Sequence, residues 1–191
     1  MKKALILPGT CDESEYFNSD FPSLSNSHWF PWLQKELLIK GIFTQALEMP
    51  DAYNPDYDKW KNEFEKFGID ENTILIGHSC GGGFLLRWLT ENKIKIDKLI
   101  LVAPWLDPNR EKTIDFFNFS IDPQIQEITK EIHIFVSTND ETDILQSIET
   151  IKKALPQAQL HEFKNMGHFT YEDMGKKEFP ELLNIIQSQI V

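Results

Sequence analysis

Short apolar runs alternate with longer amphipathic stretches along the chain. Runs of four or five residues rich in aliphatic and β-branched side chains are typical of strands buried on both faces of a parallel sheet. Six runs are predicted to be strands: Ala4–Leu7, Phe43–Leu47, Thr73–Ile76, Leu99–Val102, Ile132–Val136 and Leu160–Phe163. The stretches between most of them are long enough to hold the crossover helices that parallel strands require.

The intervening stretches carry apolar residues three or four positions apart, the spacing of one buried helix face. Helices are predicted on these series: Trp29, Leu33, Leu37 and Leu38; Tyr57, Trp60, Phe64 and Phe67; Phe84, Leu85, Trp88 and Leu89; Ile144, Ile148, Ile151 and Leu155; Phe179, Leu182, Leu183, Ile186 and Ile190. The alternation predicts an α/β fold, a parallel sheet of about six strands with helices on both faces. We expect residues 1–191 to form a single domain that binds ligands beyond the carboxyl ends of its strands.

Two segments interrupt the alternation. Residues 9–27 are mostly polar and are predicted to form a long loop. Residues 104–122 are irregular and rich in aromatic side chains, and we expect them to be partly helical and to form at most a small cap over a site. Trp105, Phe116 and Phe117 in this segment fit a substrate pocket and the core equally well.

The composition narrows the range of functions. Nineteen Lys and Arg residues against thirty Asp and Glu residues give a net charge of −11, which argues against a surface for nucleic acids or anionic membranes. Cys11 and Cys80 are too few for a disulfide scaffold and lack zinc-site spacing, so we expect no metal and no cofactor. The apolar run after Lys3 is too short for a signal peptide, and no run approaches the ~20 residues of a membrane helix, so a cytoplasmic protein is expected.

The sequence Gly77-His78-Ser79-Cys80-Gly81 lies between a predicted strand and a predicted helix. Gly-x-Ser-x-Gly in this setting is typical of a tight, strained turn that presents a serine nucleophile above the sheet edge. The helix that follows points its unpaired N–H groups at the same place. Since glycine makes up about 7% of residues and serine is about as common, the pattern arises by chance in roughly 5% of such chains. A turn that only packs, or one that binds phosphate, is the alternative.

A serine hydroxyl needs a base, and the base needs a carboxylate that fixes its tautomer. With this turn the expected chain order is serine, acid, histidine. His168 follows the last predicted strand and is the candidate base, whereas His133 and His161 lie within strands and are expected to be structural. Asp140 directly follows the strand that ends at Val136 and is the candidate acid.

Glu141 and Asp143 follow the same strand and are the rivals of Asp140. Asp143 is expected to cap the next helix instead. The predicted roles are therefore Ser79 as nucleophile, His168 as general base and then general acid, and Asp140 as the orienting carboxylate.

The negative charge that develops on the substrate oxygen needs hydrogen-bond donors. The backbone N–H of Cys80 is one candidate and that of Thr10, in the loop after the first strand, is the other. The alternative for Gly9 and Thr10 is a plain turn. Cys11 and Cys80 both fall beside this site, either as small apolar residues or as a redox pair that switches the activity off, and the first interpretation is simpler.

Several motifs together resemble the small serine hydrolases that include retinoblastoma-binding protein nine and bacterial YdeN. The resemblance covers nearly the whole length, and its motifs are Leu7-Pro8-Gly9, His28-Trp29, Trp32-Leu33, Gly77 to Gly82, Ser137-Thr138-Asn139-Asp140 and Gly167-His168-Phe169. It implies a compact α/β-hydrolase fold with a Ser-Asp-His triad on Ser79, Asp140 and His168. It also implies that His28 and Trp29 lie close to the active site, where they fit either the pocket or helix packing.

The predicted function is that of a carboxylesterase-like serine hydrolase that cleaves a small ester, thioester or amide through an acyl-enzyme. The expected partner is a small-molecule ester or amide substrate, with no nucleic acid and no membrane. The alternative is a hydrolase-fold protein that acts mainly as a protein-interaction module. The sequence indicates no protein partner, and the complete set of triad residues favours the enzyme.

Overall fold

A computed structural model of the chain describes residues 2–110, 113 and 115–188. At its centre six strands form one parallel sheet, which confirms the predicted sheet. The strands are β1 (Lys3–Leu7), β2 (Phe43–Ala46), β3 (Thr73–His78), β4 (Ile96–Val102), β5 (Thr129–Ser137) and β6 (Gln159–Phe163). Their order across the sheet is β2-β1-β3-β4-β5-β6.

Helices connect most of these strands. They are α1 (Glu13–Tyr16), α2 (Phe30–Ile39), α3 (Tyr57–Phe64), α4 (Cys80–Asn92), α5 (Ile125–Ile128), α6 (Thr142–Ala154), α7 (Tyr171–Met174) and α8 (Pro180–Gln187). The five predicted helices are α2, α3, α4, α6 and α8, and the predicted helical residue Ile190 lies outside the described residues. Even α4 and α6, with 13 residues each, are too short to cross a membrane, and no helix in the described ranges has the length and hydrophobicity for it.

The helices lie on both faces of the sheet, as predicted. α2 and α8 pack together on one face, where the rings of Trp29 and Phe179 meet edge to face at 5.8 Å between centroids. α3 and α4 pack against each other on the opposite face through Trp60, Phe64 and Phe84. α6 joins this second face through hydrogen bonds to the segment that follows β4.

The chain reverses its direction across the sheet between β1 and β3. From β1 it passes through α2 to the edge strand β2, returns past β1 to β3 and continues toward β6. Because such crossovers are right-handed, helices that connect strands in opposite directions lie on opposite faces. The loops after β1 and β3 therefore diverge and leave a crevice at the carboxyl edge, where ligands bind in sheets of this kind.

β4 and β5 begin earlier than their apolar runs predict. β4 starts at Ile96 and β5 at Thr129, because Lys98 and Glu131 belong to the strands despite their charge. The Lys98 side chain is 2% exposed, and its Nζ lies 2.8 Å from Glu131 Oε2. A buried charge is tolerated when it is paired. The pair therefore leaves the strands intact, although it interrupts the apolar pattern by which they are recognised.

The aromatic segment after β4 packs into the core. Phe116 is 3% exposed and Phe117 2% exposed. Phe117 meets Trp105 edge to face at 5.6 Å, and Phe116 meets Trp60 of α3 in the same manner at 5.1 Å. None of the described residues of 104–122 belongs to a helix, and residues 111, 112 and 114, on which the expectation of partial helix also falls, lie outside the described residues. Of the two alternatives for Phe116 and Phe117, the structure shows the core.

Residues 9–27, predicted as a loop, contain two short ordered elements. One is α1, and the other is a 3₁₀ turn at Leu24–Asn26. Leu24 lines a cavity together with residues of the loops after β1 and β3. This segment therefore stands beside the crevice.

Candidate active site

Ser79 occupies the turn between β3 and α4 with φ 52° and ψ −124°. A residue other than glycine with positive φ is strained by roughly 1–3 kcal/mol, so the surroundings must hold it in place. The Ser79 N–H donates to the Val102 carbonyl at 3.0 Å, and the Ser79 carbonyl accepts from the N–H groups of Gly82 and Trp105, each at 3.0 Å. These bonds fix the strained turn to β4 and to the segment beyond it.

The glycines that flank Ser79 permit close approach of main chains. A Cβ on Gly77 would lie 2.6 Å from the Gly82 Cα, and one on Gly81 would lie 2.4 Å from the Pro8 carbonyl oxygen. Both distances are shorter than real Cβ contacts. The glycines of the motif are therefore required by packing between β3, the start of α4 and the loop after β1.

Asp140 and His168 form a carboxylate–imidazole pair at the carboxyl ends of β5 and β6. His168 Nδ1 lies 3.1 Å from Asp140 Oδ1 and 3.2 Å from Oδ2. The Asp140 side chain is fully buried, while 26% of the His168 side chain is exposed. The N–H of Glu141 donates to Asp140 Oδ1 at 2.7 Å and helps to hold the carboxylate in place.

The rival carboxylates have other roles. Glu141 occupies the N-cap position of α6, so the prediction that Asp143 caps this helix is wrong. Asp143 lies in the first turn, and its Oδ2 accepts the indole N–H of Trp105 at 2.8 Å. It thereby anchors the segment after β4 and does not contact His168.

The loop that carries Asp140 is bound to the loop that carries His168. Ser137 Oγ donates to Asn139 Oδ1 at 2.7 Å and accepts the N–H of Met166 at 2.9 Å. Asn139 Oδ1 also accepts the N–H of Gly167 at 3.1 Å. Both residues belong to the motif Ser137-Thr138-Asn139-Asp140, but the sequence assigns them no role, which only the folded loops reveal.

Two further side chains hold the backbone of His168. His78 Nε2 lies 2.7 Å from the His168 carbonyl oxygen, so the ring donates this hydrogen bond. Burial, together with the nearby His168 and His28, lowers the pKa of His78 well below its usual value and keeps its ring neutral. On the other side Asp173 Oδ2 accepts the His168 N–H at 2.8 Å. The expected order of serine, acid and histidine gives His78 no catalytic role, and only the fold reveals this contact.

Ser79 and His168 line one cavity of about 80 Å³ together with Gly9, Thr10 and His28. The hydrogen bonds of His168 to other described residues go to Asp140, His78 and Asp173, and none joins it to Ser79 Oγ. In substrate-free enzymes such contacts are often long and tighten when the substrate binds. The cavity therefore brings together the predicted nucleophile and the predicted base.

The two predicted oxyanion donors belong to residues near Ser79. Cys80 is the first residue of α4, where N–H groups have no partner within the helix. Neither the Cys80 N–H nor the Thr10 N–H donates to another backbone carbonyl among the described residues. The loop of Thr10 lies against the serine, since a Cβ on Gly9 would be 2.8 Å from Ser79 Cβ.

The predicted pocket residues separate into two groups. His28 lines the cavity beside Ser79, and its Nδ1 accepts the N–H of Tyr171 at 3.1 Å. Trp105 lines a neighbouring cavity of about 350 Å³, which also includes Thr10. Trp29 is 1% exposed and packs on Phe30 in the core. Trp29, like Phe116 and Phe117, therefore does not line these cavities.

The two cysteines are poor candidates for redox chemistry. Burial raises the pKa of Cys11 to about 11, with Glu15 and Asp12 adding to the shift. Burial also raises the pKa of Cys80 far above its usual value. Since the thiolate is the reactive form, both groups are unreactive at neutral pH. They fit the simpler interpretation as small apolar residues.

His133 and His161 lie away from Ser79, as their strand positions predict. His133 Nδ1 is 3.0 Å from His161 Nε2, and His133 Nε2 is 3.2 Å from Glu131. Within the described ranges no group of three or more His, Cys, Asp or Glu side chains is arranged to hold a metal ion. The chemistry available at the carboxyl edge is therefore that of a serine, an imidazole and a carboxylate.

Known proteins are similar to this chain in sequence. A family model described as serine hydrolase matches residues 20–188. The putative hydrolase YdeN of Bacillus subtilis is 29% identical over 187 residues, which cover 91% of this chain and 94% of that protein. The serine hydrolase RBBP9 of Rattus norvegicus is 27% identical over 194 residues, covering 98% of this chain and 95% of that protein.

The fold is likewise shared with solved structures. The crystal structure of the Bacillus subtilis ydeN gene product superposes with a TM-score of 0.83 at 27% identity and covers 98% of both chains. The alpha/beta hydrolase domain-containing protein 10 from mouse superposes with a TM-score of 0.66 at 12% identity, over 98% of this chain and 89% of that chain. At such low identity the second likeness concerns the fold alone. The predicted α/β-hydrolase fold is confirmed.

Proposed function

The chain belongs to the serine hydrolase family, and we propose that it cleaves a small carboxylic ester, thioester or amide through an acyl-enzyme formed on Ser79. The observation that carries the proposal is the meeting of a strained serine turn and a buried carboxylate–imidazole pair at one cavity. No metal or cofactor is needed for such a reaction. The expectation of a single domain over residues 1–191 stays a prediction.

Asp140 determines which nitrogen of His168 acts as the base. Because the carboxylate accepts a hydrogen bond at Nδ1, the proton of the neutral ring sits there and Nε2 is free to accept one. Nε2 would take the proton of Ser79 while Oγ attacks the substrate carbonyl. The N–H groups of Cys80 and Thr10 would stabilise the oxyanion, and each such donor is worth about 3–4 kcal/mol in known hydrolases.

Collapse of the tetrahedral intermediate requires a proton on the leaving group. The imidazolium of His168 would donate it from Nε2, which releases the alcohol, thiol or amine and leaves an acyl group on Ser79 Oγ. A water molecule, activated by the same nitrogen, would then hydrolyse the acyl-enzyme. Esters are the first substrates to test, because an alcohol departs more readily than an amine.

A fluorophosphonate probe tests the proposal directly, since it reacts with activated serine hydroxyls. We expect labelling of the wild type and loss of labelling and of ester hydrolysis in Ser79→Ala. The control is Ser188→Ala, which removes a serine at the far end of α8 and should be labelled like the wild type. A folded wild type that is neither labelled nor hydrolytic would contradict the proposal and favour the alternative of a protein-interaction module.

A further inference from the structure

A large groove opens beside the cavity of Ser79. It has a volume of about 1070 Å³ and runs between the segment after β1 and α7. The groove and the cavity of Ser79 share four lining residues, which are Thr10, Leu24, His28 and Thr170. The two spaces therefore adjoin each other, so the groove is the space into which a substrate held at Ser79 would extend.

Aromatic side chains form walls of this groove, which we call the aromatic groove after Tyr16, Phe17, Phe21 and Tyr171. Phe17 is 69% exposed, Phe21 49% and Tyr171 46%. Large apolar side chains exposed together at a concave surface are typical of a binding site. The groove thus suits a ligand with a flat apolar body.

The charged residues of the groove are mostly acidic. Glu15, Glu48 and Glu172 line it, against the single cation of Lys177 among its lining residues. The Glu48 carboxylate accepts the N–H groups of Leu24 and Ser25, at 3.3 and 2.9 Å, so this charge is held in place. An anionic ligand would meet repulsion here, whereas an uncharged or cationic one would not.

The groove lies on the side of the proposed base. Thr170 and Tyr171 follow His168 closely in the chain, and the Tyr171 N–H donates to His28 Nδ1. His168 must deliver its proton to the leaving group, so the leaving group has to lie next to this imidazole. The cavity lined by Trp105, Tyr53 and Pro55 includes no residue of the segment that follows His168 and, at about 350 Å³, is smaller than the groove.

We propose that the aromatic groove binds the leaving group of the substrate, and that this group is an alcohol or amine with an extended aromatic or apolar, non-anionic body. The proposal rests on the proposed function and adds the substrate class to it. The acyl part of the substrate would then lie toward the cavity of about 350 Å³ that Trp105 lines. Simple esters would use only part of the site, because their leaving groups do not reach the aromatic walls.

The test compares acetate esters that differ only in the alcohol. Phenyl acetate and biphenyl-4-yl acetate have phenols of similar acidity, so a difference in kcat/KM reports binding of the second ring. The wild type should prefer the biphenyl ester, and Phe17→Ala/Phe21→Ala should reduce that preference by about tenfold, the effect of ~1.4 kcal/mol of apolar contact. A sulfonate on the distal ring should abolish the preference.

The matched control is Leu38→Ala/Ile39→Ala, which removes two side chains that are 63% and 65% exposed on α2 and do not line the groove. It should keep the wild-type preference. Burst kinetics then locate the effect: in Phe17→Ala/Phe21→Ala the loss should fall on acylation, since the alcohol has left before deacylation. The proposal would be overturned if Phe17→Ala/Phe21→Ala kept the wild-type preference for the biphenyl ester but deacylated bulky acyl groups more slowly. That result would assign the groove to the acyl part of the substrate.

Product binding separates this proposal from the proposed function. Titration calorimetry of 4-phenylphenol with Ser79→Ala requires no catalysis, and binding should weaken in the triple variant that adds Phe17→Ala and Phe21→Ala. Equal binding by both proteins would overturn the groove assignment, even if Ser79 is the nucleophile. Weakened binding in a protein that no fluorophosphonate labels would instead support the groove as a binding site while the hydrolase mechanism fails.

Discussion

A carboxylate–histidine pair lies near each end of β5. The two pairs have similar distances between carboxylate and imidazole but very different surroundings. Beyond the carboxyl end, Asp140 lies 3.1 Å from His168. Near the amino end, Glu131 lies 3.2 Å from His133. His168 of the first pair lines a cavity with Ser79, whereas the second pair is enclosed, with the side chain of His133 3% exposed and that of Glu131 15% exposed.

The enclosed pair is part of a polar chain that is neutralised internally. Lys98 Nζ lies 2.8 Å from Glu131 and donates to the Ile185 carbonyl of α8 at 3.1 Å. At its other end His133 contacts His161 at 3.0 Å. Each of these side chains therefore has a partner in the protein, and no serine is among them. A carboxylate–histidine contact therefore becomes a candidate site only where a nucleophile and an open cavity accompany it.

Exchange of the two histidines for alanine gives the largest contrast. His168→Ala should lower kcat/KM for phenyl acetate by on the order of 10⁴-fold, because the base is lost while the oxyanion donors remain. His133→Ala should retain wild-type activity per folded molecule. The comparison would be broken if both variants lost activity equally after correction for the folded fraction, measured by circular dichroism.

The two carboxylates give a second contrast. Asp140→Asn keeps the shape of the side chain but favours the wrong tautomer of His168, and a loss of about 10³–10⁴-fold in kcat is expected. Glu131→Gln should change kcat by less than about twofold, since it touches no group near Ser79. Steady-state ester hydrolysis with both variants measures the difference, and a similar loss in both would contradict it.

Stability, unlike activity, should depend on the buried pair of Lys98 and Glu131, and far less on an exposed ion pair. Lys98→Met leaves the Glu131 carboxylate without its cation in a mostly buried place, and we expect the free energy of unfolding to fall by about 3–5 kcal/mol. Lys152→Met, which breaks the exposed pair with Glu149, should cost less than about 1 kcal/mol. Urea denaturation of both variants checks this, and equal midpoints would show that the buried chain contributes little.

The pH dependence of stability gives the smallest effect. Burial lowers the pKa of His133 and, with the neighbouring His133, that of His161. The unfolded chain therefore binds protons first as the pH falls, and stability should decline below the usual histidine pKa of about 6.5. His161→Gln should flatten this decline relative to the wild type in urea midpoints measured from pH 7.5 to about pH 5. If the midpoints of His161→Gln and the wild type declined equally with pH, the decline would be assigned to His28 and His78, whose pKa values burial also lowers.

Much of the fold and the candidate triad could be predicted because the signals are local. Apolar runs indicate strands buried on both faces, and Ser79, Asp140 and His168 each follow a strand closely. Since parallel strands end at one edge, residues that follow them are brought together without further information. The strand order and the reversal between β1 and β3 were not predicted and come from the structure.

Other features depend on contacts between distant parts of the chain. The hydrogen bond from His78 to the His168 carbonyl spans 90 residues, and Met166 binds Ser137 across 29. The aromatic residues after β4 looked alike in sequence, and only packing against α3 and α4 assigned Phe116 and Phe117 to the core. The aromatic groove likewise arises from two loops that meet only in the folded chain.

The central claim is that Ser79 carries the acyl group, and mass spectrometry of an acid-quenched reaction tests it most directly. After rapid mixing with 4-nitrophenyl acetate, the wild type and His133→Ala should carry one acetyl group on the peptide that contains Ser79, and Ser79→Ala should carry none there. Turnover with the acetyl group on another residue, or with equal rates in Ser79→Ala, would contradict the account.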